Sequence, residues 1–339
     1  VWASRMPAGL AAAAARQGTP LIRVEDGFVR SVGLGSDFVR AASLALDTSG
    51  SHCDPDTCSD LESLLRDTRF DPALVLRARN LTARLIAGGI TKYNLPERRL
   101  LERGLAGRGL TEEEHGMKRP VARRPPFAFP PGRRRLLVPG QVEDDLSVQL
   151  GGGGIRGNLA LLAEVRAASP DAFILYKPHP DVEAGHRRGA IRSALAEKFA
   201  DCVVGGSTAA ILDEIDEVHT LTSLTGFEAL LRGRKVVVYG RPFYAGWGLT
   251  SDRLAVARGR RLTIEELVAG VLILYPRYLD PLTRLPCAPE IAIDRLARPE
   301  LWRTGPLVAA RRLHGLAARR WNRLCGSMPP PGSAIVGFW

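Results

Sequence analysis

Residues 172–180 of the chain read Ala-Phe-Ile-Leu-Tyr-Lys-Pro-His-Pro, a short apolar run that stops at two prolines. Such a run, bounded by residues that interrupt regular structure, is typical of a buried strand. Similar apolar runs lie at residues 136–141, 218–222 and 235–239, and a helical pattern lies at residues 156–168. Short apolar strands that alternate with helices predict an α/β fold with a parallel sheet covered on both faces.

A polar or acidic residue stands where each of several predicted strands leaves the sheet. In the C-terminal part of the chain these residues are Gln141, His179 and Ser223, and nearer the N-terminus Glu25 follows a strand at residues 20–24. Ligands of parallel sheets bind beyond the carboxyl ends of the strands. The four residues are therefore the first candidates for a binding site.

A segment rich in proline and arginine divides the chain. Residues 118–135 contain five prolines, which remove backbone donors and restrict φ, so we interpret the segment as a linker. It separates an N-terminal domain, residues 1–117, from a C-terminal domain, residues 136–296, which a basic helix and tail follow at residues 297–339. The N-terminal domain has helical patterns at residues 8–16, 60–66 and 73–88.

The composition excludes several classes of protein. The 339 residues are 45% hydrophobic and 24% charged, which is too apolar for a disordered chain and enough for two domains with separate cores. The five cysteines are too sparse for a disulfide scaffold. No apolar run reaches the ~18 residues that cross a bilayer, so we expect a soluble, cytoplasmic protein.

The chain is basic, with 47 Lys and Arg against 36 Asp and Glu and a formal net charge of +11. Such a surface suits anionic partners, among them sugar nucleotides, acidic phospholipids and nucleic acids. Aromatic residues make up only 6% of the chain, so the stacking platforms of single-strand binders are missing. We therefore expect no nucleic-acid partner, although charge alone does not decide this.

Two motifs are better explained as loops or turns than as chemistry. Gly152-Gly-Gly154-Ile-Arg-Gly157 matches the dinucleotide-binding pattern, but residues 142–150 separate it from the preceding strand, whereas the fingerprint follows its strand directly. His52, Cys53 and Cys58 lie among aspartates, yet no second closely spaced pair of ligands accompanies them. The sequence therefore predicts an acidic turn there and no metal site.

Three clusters carry the chemistry. Residues 223–228 (Ser-Leu-Thr-Gly-Phe-Glu) open a helix directly after a strand, where free N–H groups and the helix dipole favour phosphate. Lys177 and His179 are held by prolines at a strand end and suit an anion. Residues 143–145 (Glu-Asp-Asp) are adjacent acids, and their mutual repulsion predicts a perturbed pKa for at least one of them.

Seven ordered blocks resemble the KpsC/LipB family of capsule polysaccharide biosynthesis proteins, between about residues 20 and 296. They are Arg23-Val-Glu25-Asp-Gly-Phe-Val-Arg30-Ser-Val-Gly-Leu-Gly35, Thr91-Lys-Tyr-Asn94, Val138-Pro-Gly-Gln-Val-Glu-Asp-Asp145, Tyr176-Lys-Pro-His-Pro-Asp-Val182, Thr222-Ser-Leu-Thr-Gly-Phe-Glu-Ala-Leu-Leu-Arg-Gly233, Tyr239-Gly-Arg-Pro-Phe-Tyr-Ala-Gly-Trp-Gly-Leu-Thr250 and Tyr275-Pro-Arg-Tyr-Leu-Asp-Pro281. Residues 51–54 (Ser-His-Cys-Asp) depart from the aromatic sequence expected at that position.

The resemblance implies a GT-B-like fold, with two Rossmann-type parallel-sheet domains that face a central cleft. It implies a β-Kdo transferase, which takes 3-deoxy-D-manno-octulosonic acid (Kdo) from CMP-Kdo and extends a short Kdo linker on a phosphatidylglycerol-type lipid. Proteins of the family usually carry two such modules, and a module normally has residues ahead of the position of Val1. We therefore expect one module and leave open whether it is a fragment with an incomplete N-terminal domain, a divergent single module or an excised half.

The resemblance also implies residue roles. Transfer from CMP-β-Kdo to a β-linkage retains configuration, which a covalent glycosyl–carboxylate intermediate explains. Asp145 is expected as the nucleophile, with Asp144 left open because their spacing does not separate them. Glu25 is expected as the general acid/base for the acceptor hydroxyl, and His179 as a contact of the CMP phosphate.

The remaining expected site residues bind substrate. Lys177 is expected to pair with the Kdo carboxylate or the phosphate; Ser223, Thr225 and Gly226 with the phosphate at the helix start; and Glu228 with the ribose. The expected substrate-binding set also includes Asp26, Arg30, Gln141 and Asp144. CMP-Kdo enters as the donor substrate, and no cofactor or metal is expected, since a lysine, a histidine and a helix dipole neutralise the phosphate.

The resemblance places the protein at the inner face of the bacterial inner membrane. The expected partners are the CMP-sugar donor, a lipid-linked glycan acceptor, and capsule assembly and export proteins. Two alternatives remain open. One is another GT-B enzyme, such as a nucleotide-sugar epimerase or a sialyltransferase-like CMP-sugar transferase, and the other is a non-catalytic basic binding module.

Overall fold

A computed structural model describes residues 1–94, 129–302 and 305–325. Of the expected linker, residues 118–128 lie outside this described part, and so do residues 326–339 of the expected tail. The described residues form ten strands. In chain order, β1 to β10 are Arg23–Asp26, Ser43–Asp47, Arg135–Pro139, Phe173–Lys177, Cys202–Val203, Glu217–Thr220, Lys235–Val238, Ser251–Asp252, Arg277–Leu279 and Pro286–Cys287.

Twelve α-helices accompany the strands in the described part. In chain order, α1 to α12 are Leu10–Arg16, Asp60–Asp67, Pro72–Ala87, Leu146–Gly151, Asn158–Ala168, Pro180–Glu183, Ser193–Ala196, Thr208–Glu214, Leu224–Leu231, Ile264–Val268, Pro289–Leu296 and Pro306–Cys325. A π-helical segment, Ala269–Leu274, continues α10, and short 3-10 turns lie at Ala3–Arg5, Gly35–Asp37 and Pro299–Leu301. None of the helices placed in these ranges combines the length and apolarity that spanning a bilayer requires.

Strands β3 to β8 form one parallel sheet, in the order β5-β4-β3-β6-β7-β8. Strand β3 pairs with β4 on one side, with Val138 opposite Tyr176, and with β6 on the other, with Leu137 opposite Val218. The sheet therefore grows outward in both directions from β3, which is the order of a Rossmann sheet. The expected parallel α/β architecture is confirmed, and the crevice between the ends of β3 and β6 is its topological switch point.

The second sheet differs from the parallel sheet expected in the N-terminal half. Its order is β1-β2-β9-β10, and all three pairings are antiparallel. A short connection after β9 turns back at a hydrogen bond from Asp280 N–H to the Leu285 carbonyl, and so short a connection joins antiparallel strands only. Among the described residues of this half, parallel contacts exist only as two isolated bridges, between Trp2 and Val24 and between Ser31 and Tyr93.

Strands β9 and β10 also show that the second sheet combines strands from the two ends of the chain. Residues 277–287 lie after the last strand of the parallel sheet, yet they complete the sheet that β1 and β2 begin. One hydrophobic core runs through both halves, from Phe28 and Leu81 to Val218 and Trp247. The two halves are therefore packed as one body around the site between them.

Local signals explain the helix that joins the halves. Asp71 caps α3 by accepting a hydrogen bond from the Leu74 N–H at 2.8 Å, and Pro72 occupies the first position, where its missing N–H costs nothing. Ala78, Leu81 and Leu85 then recur at helical spacing and are buried. This face packs against α10 and its π-helical continuation.

The C-terminal helix α12 crosses from one half to the other. Arg312 Nε lies 3.3 Å from Asp37 Oδ2, and Arg311 Nε donates to the Ser36 carbonyl at 3.1 Å. The helix also packs closely against His186 in the C-terminal half, and a Cβ on Gly315 would lie 2.5 Å from the His186 ring. A glycine at this position is therefore what permits α12 to contact residues of both halves.

Candidate active site

The candidate site lies at the switch point, where the loops after β3 and β6 meet. Gln141 connects the two loops: its Nε2 donates to Thr222 Oγ1 at 2.9 Å, and its Oε1 accepts from the Leu221 and Thr222 N–H groups, each at 3.2 Å. The side chain is buried and its hydrogen bonds stay within the protein. Gln141 thus positions the crevice, and its expected contact with substrate stays a prediction.

Asp145 stands at the start of α4 as its N-cap. Its Oδ1 accepts hydrogen bonds from the Ser147 N–H at 3.0 Å and the Ser147 hydroxyl at 2.6 Å. Burial raises the pKa of Asp145, but the Ser147 hydrogen bonds and the positive charge of Lys92 outweigh burial and leave the pKa below its ordinary value. Asp145 is therefore a half-buried carboxylate that stays ionised at neutral pH.

The two neighbouring acids face elsewhere. Asp144 pairs with Arg187 at 3.2 Å, and 46% of its side chain is exposed. Glu143 accepts a hydrogen bond from the Asn158 N–H at 2.9 Å, at the start of α5. The sequence did not distinguish the three adjacent carboxylates, but the structure does. Asp144 forms a surface ion pair, Glu143 lies at the start of α5, and Asp145 lies in the crevice.

Glu25 lies on β1 and approaches the crevice from the other half. Its Oε1 accepts a hydrogen bond from the Ser4 N–H at 2.7 Å. Burial raises the pKa of Glu25 and the negative charge of Asp145 adds to this, while Ser4 and Lys92 offset only part of the rise. The pKa of Glu25 is thus displaced upward, whereas the pKa of Asp145 is displaced downward.

Asp26 and Arg30 form an ion pair beside Glu25. Arg30 Nε lies 2.6 Å from Asp26 Oδ2, and Arg30 Nη1 donates to the Val39 carbonyl at 2.8 Å. Arg30 is buried, and its guanidinium is committed to these protein partners. Its observed role is to hold the loop after β1, and the expected contact of either residue with substrate stays a prediction.

Lys92 is a residue of the site to which sequence reasoning assigned no role. Its charge acts on Glu25, His52, Cys53, Asp145 and His179, so the structure brings all of these groups together around it. Burial lowers the pKa of Lys92, but Tyr93, Asp26 and Asp145 more than reverse this. Two features of the sequence could have identified Lys92. It lies in one of the blocks that resemble the family, and it is a lysine in a chain whose basic residues are nearly all arginine.

His52 and Cys53 lie near enough to the site for Lys92 and Asp145 to affect their pKa values, although the sequence favoured a turn there. Burial lowers the pKa of His52 to about 4, and Lys92 adds to the effect. Burial and the charges of Asp145 and Glu25 raise the pKa of the Cys53 thiol to about 12. Both side chains are therefore neutral at physiological pH, and no signal in the sequence placed them in the crevice.

His179 is the N-cap of α6 and accepts a hydrogen bond on Nδ1 from the Asp181 N–H at 3.1 Å. Because Nδ1 accepts, the neutral ring carries its proton on Nε2. Burial lowers the pKa of His179 to about 4, and the charges of Lys92 and Lys177 act in the same direction. Its ring lies edge-on to Tyr93, with 6.3 Å between centroids. His179 is therefore a neutral donor through Nε2.

Lys177 and Glu228 lie deeper than the sequence suggested. Lys177 ends β4 with 4% of its surface exposed, and burial lowers its pKa. Glu228 is buried on α9, burial raises its pKa to about 7, and its Oε1 accepts the Lys92 N–H at 2.8 Å. The observed partner of Glu228 is thus the backbone of residue 92, and its expected contact with a ribose stays a prediction.

The start of α9, where a phosphate site is expected, already contains internal hydrogen bonds. Ser223 caps the helix, and its Oγ accepts the Thr225 N–H at 3.2 Å. The Gly226 N–H donates to the Ser223 carbonyl at 3.0 Å, so it is already engaged. A Cβ on Gly226 would lie 2.3 Å from the Tyr244 hydroxyl, so the glycine is required by packing. Capping thus engages two of the N–H groups at this helix start, and the expected contact of Ser223, Thr225 and Gly226 with a phosphate stays a prediction.

The geometry therefore brings together one carboxylate with a lowered pKa, one with a raised pKa, a cation and a neutral imidazole donor. These are Asp145, Glu25, Lys92 and His179. Two carboxylates whose environments displace their pKa values in opposite directions are suited to separate roles, one as a nucleophile and one as an acid or base. The site can thus support transfer of a group through a covalent intermediate.

Comparison with protein families gives a match over residues 1–278 to the model of the capsule polysaccharide biosynthesis protein family. Among curated proteins, capsule polysaccharide modification protein LipA of Neisseria meningitidis is 43% identical over 282 residues, which cover 82% of this chain and 36% of LipA. Lipopolysaccharide-processing protein LpsZ of Rhizobium meliloti is 40% identical over 269 residues, covering 78% of this chain and 56% of LpsZ. The chain thus spans between a third and just over half of these relatives.

Two solved structures from Thermosulfurimonas dismutans share the fold. The KpsC β-Kdo 2,4 transferase superposes with a TM-score of 0.69 at 30% identity, over 88% of this chain and 86% of that one. The KpsC β-Kdo 2,7 transferase superposes with a TM-score of 0.64 at 35% identity, over 83% of this chain and 79% of that one. The similarity extends across both halves of the protein.

Proposed function

This chain belongs to the capsule polysaccharide biosynthesis family, and on that premise we propose that it is a glycosyltransferase that moves Kdo from CMP-Kdo to a lipid-linked Kdo acceptor, with retention of configuration. The KpsC transferases of similar fold supply the sugar class. The choice of CMP-Kdo as donor rests on the family resemblance of the motifs.

One observation carries the mechanism: Asp145 and Glu25 approach the same crevice from the two halves, with pKa values displaced in opposite directions. An ionised carboxylate serves as the nucleophile of a retaining transfer, and a carboxylate of raised pKa serves as the acid or base. Asp144 is exposed and paired with Arg187, which supports Asp145 over Asp144 as the nucleophile.

In the first step a carboxylate oxygen of Asp145 attacks the anomeric carbon of the donor. The bond from that carbon to the CMP phosphate oxygen breaks, and CMP leaves with the electron pair. His179 donates a hydrogen bond from Nε2 to the departing phosphate, and Lys177 adds positive charge. The product is a Kdo ester on Asp145 with inverted configuration.

In the second step a hydroxyl of the acceptor attacks the same carbon. Glu25 takes the proton of that hydroxyl, and the ester bond breaks to restore the Asp145 carboxylate. The second inversion gives net retention. The proposal gives charge neutralisation to protein side chains and includes no metal or cofactor.

The family also suggests where the reaction takes place. We infer that the acceptor is a lipid-linked glycan at the inner face of the inner membrane and that capsule assembly and export proteins act on the product. The support is the family's role in capsule synthesis and the arginines of α12, which suit an acidic surface.

Intact-protein mass spectrometry after incubation with CMP-Kdo, in the absence of acceptor, tests the proposal. The expected result is a species heavier by one Kdo residue that vanishes in Asp145→Asn. Asp144→Asn is the matched control, and it should form the adduct as the unmodified protein does.

Each other outcome has a clear meaning. An adduct retained in Asp145→Asn and lost in Asp144→Asn moves the nucleophile to Asp144. If CMP binds and no adduct forms in any variant, a covalent route is excluded. Stabilisation against heat by UDP rather than CMP would instead favour another GT-B enzyme with a different donor.

A further inference from the structure

The structure holds the backbone of Lys92 from both halves of the protein. Its carbonyl accepts hydrogen bonds from the Arg30 and Ser31 N–H groups at 3.1 and 3.3 Å, and its N–H donates to Glu228 at 2.8 Å. Asn94 adds a hydrogen bond from Nδ2 to the Ser31 carbonyl at 3.2 Å. A lysine on an ordinary surface loop needs no such support, so the fold sets the place from which this lysine side chain extends.

The Lys92 ammonium lies 5.5 Å from the centroid of the Tyr93 ring and forms no hydrogen bond or ion pair with a residue in the described part of the chain. Asp26 and Asp145 both act on its ammonium group, but Asp26 is also paired with Arg30 at 2.6 Å. Glu25 has a raised pKa, which weakens its attraction to the Lys92 ammonium. The ammonium keeps capacity for one more anionic oxygen.

The proposed reaction brings such an oxygen to this place. In an ulosonic acid the carboxylate is bonded directly to the anomeric carbon. When Asp145 lies within the ~3–3.5 Å of that carbon that attack requires, the two carboxylates are close neighbours of like charge. Repulsion between them opposes attack unless a cation lies beside both.

We propose that Lys92 is the substrate-binding residue that holds the carboxylate of the donor ulosonic acid next to Asp145. This inference rests on the proposed function. It assigns the carboxylate to Lys92 rather than to Lys177, which is buried at the end of β4 under the influence of Glu183 and Glu228 and is left to the phosphate.

The assignment implies specificity for donors with a carboxylate at the anomeric carbon. A neutral sugar would leave the ammonium with an unmet charge in a half-buried site, which weakens its binding. Lys92 is thus a specificity-determining residue in addition to a binding residue.

Calorimetric titration with three ligands tests this inference. They are CMP, a non-hydrolysable phosphonate analogue of CMP-Kdo, and the methyl ester of that analogue's carboxylate. We expect the unmodified protein to bind the acid at least about tenfold more tightly than the ester, since a charge-assisted hydrogen bond is lost. In Lys92→Met the acid should bind no better than the ester, while the affinity for CMP stays unchanged.

Two further variants complete the design. Lys235→Met is the matched control, because Lys235 is exposed at the opposite end of the parallel sheet, and it should keep the preference for the acid. Lys92→Arg should restore part of the preference. If Lys92→Met does not fold, Lys92→Gln replaces it, and unchanged CMP binding reports an intact fold.

The outcomes separate the inference from the function on which it rests. A preference for the acid that survives in Lys92→Met overturns the inference and leaves the proposed transferase intact. Equal losses for CMP and for the analogue also overturn it, since Lys92 then serves the phosphate or the fold. Failure of the unmodified protein to bind CMP overturns the proposed function, and the inference falls with it.

Discussion

The environment of each carboxylate matters more in this site than the carboxylate itself. Asp144 and Asp145 are adjacent in the chain, yet one pairs with Arg187 at the surface and the other caps α4 beside Lys92. Glu25 and Asp145 have similar chemistry, yet burial sets the direction of the pKa shift of Glu25, whereas at Asp145 the Ser147 hydrogen bonds and the charge of Lys92 together outweigh burial. Such differences in pKa determine which carboxylate is suited to act as a nucleophile and which as an acid or base.

At the residue scale, the raised pKa of Glu228 predicts how the free energy of unfolding depends on pH. Burial raises its pKa to about 7 from an ordinary value of 4.5. The folded state therefore binds more protons than the unfolded state between pH 4.5 and 7, so this group lowers the stability as pH rises through that window. Glu228→Gln keeps an oxygen for the Lys92 N–H and removes the charge. We expect the variant to be more stable than the unmodified protein at pH 8, by up to ~3 kcal/mol, and equally stable near pH 5.

Urea unfolding at both pH values measures this effect. Glu197→Gln is the control, since Glu197 is exposed at the end of α7 and should show no difference between the two pH values. Equal stability of Glu228→Gln and the unmodified protein at pH 8 would show that Glu228 is already neutralised by its surroundings.

His179 provides a test of binding against pH. Its pKa is lowered to about 4, so the ring is neutral throughout the range from pH 5.5 to 8, where an ordinary histidine titrates. We expect His179→Ala to weaken CMP binding by about tenfold, as for loss of one hydrogen bond, and by the same factor at both ends of this range. Calorimetric titration at pH 5.5 and 8 checks it, and a loss confined to the lower pH would mean that a charged ring binds the phosphate.

At the scale of elements, caps and turns explain where helices begin, and close backbone approaches explain how they pack. The sequence patterns predicted five of the eight strands and five of the ten α-helices described before residue 275, within about three residues, because caps such as Asp71 and apolar periodicity are local. Most of the missed elements are short: strands β2, β5, β8, β9 and β10 and helices α4, α6, α7, α8, α10 and α11. Strands β9 and β10 are three and two residues long, and β9 joins the sheet by pairing with β2, which lies near the other end of the chain.

Helix α12 carries the prediction at this scale. A larger side chain at Gly315 would overlap His186 and the Ala184 carbonyl, so Gly315→Leu should separate α12 from the C-terminal half. We expect a loss of about 1–3 kcal/mol in the free energy of unfolding, as for other overpacked contacts. Ala317→Leu, at an exposed position of the same helix, is the control.

Urea unfolding measures the stability of both variants, and calorimetric titration with CMP measures whether the site still binds its ligand. If Gly315→Leu unfolds at the same urea concentration as Ala317→Leu, then α12 contributes no stability through this contact. A loss of stability with unchanged CMP affinity would mean that the crevice forms without α12.

At the scale of the whole molecule, one core joins two sheets of different kind. Leu81 on α3 and Leu267 on α10 are fully buried in the same cluster as Val218 and Val238 of the parallel sheet. The candidate site depends on this arrangement, because Glu25 and Lys92 come from one side of the crevice and Asp145 and His179 from the other. A crevice of this kind exists only while the halves are packed together.

Leu81→Ala tests whether the halves unfold together. Removal of a fully buried leucine side chain leaves a cavity and should cost about 2–5 kcal/mol. Because the core is continuous, we expect one thermal transition that moves as a whole in calorimetry. Leu76→Ala changes an exposed leucine on the same helix and should leave the transition temperature unchanged. Two separate transitions in Leu81→Ala would mean that the halves unfold as independent units.

The sequence by itself determined the parallel α/β half, the motifs and the family resemblance. Strand length, apolar periodicity and turn residues are local properties, so they are readable without a structure. The same information was enough to identify Asp145, Glu25 and His179 as candidates. It was not enough to choose between Asp144 and Asp145, since neighbours in the chain have the same spacing to every other motif.

Only the tertiary structure decided which side chains share the crevice and which are already engaged. Lys92, His52 and Cys53 enter the site because loops distant in the chain meet there. The Gly226 N–H, predicted for the phosphate, is engaged by the Ser223 carbonyl. The antiparallel second sheet depends on residues 277–287 returning to β2. Burial, pairing and pKa are set by contacts between distant segments, and these contacts do not exist until the chain is folded.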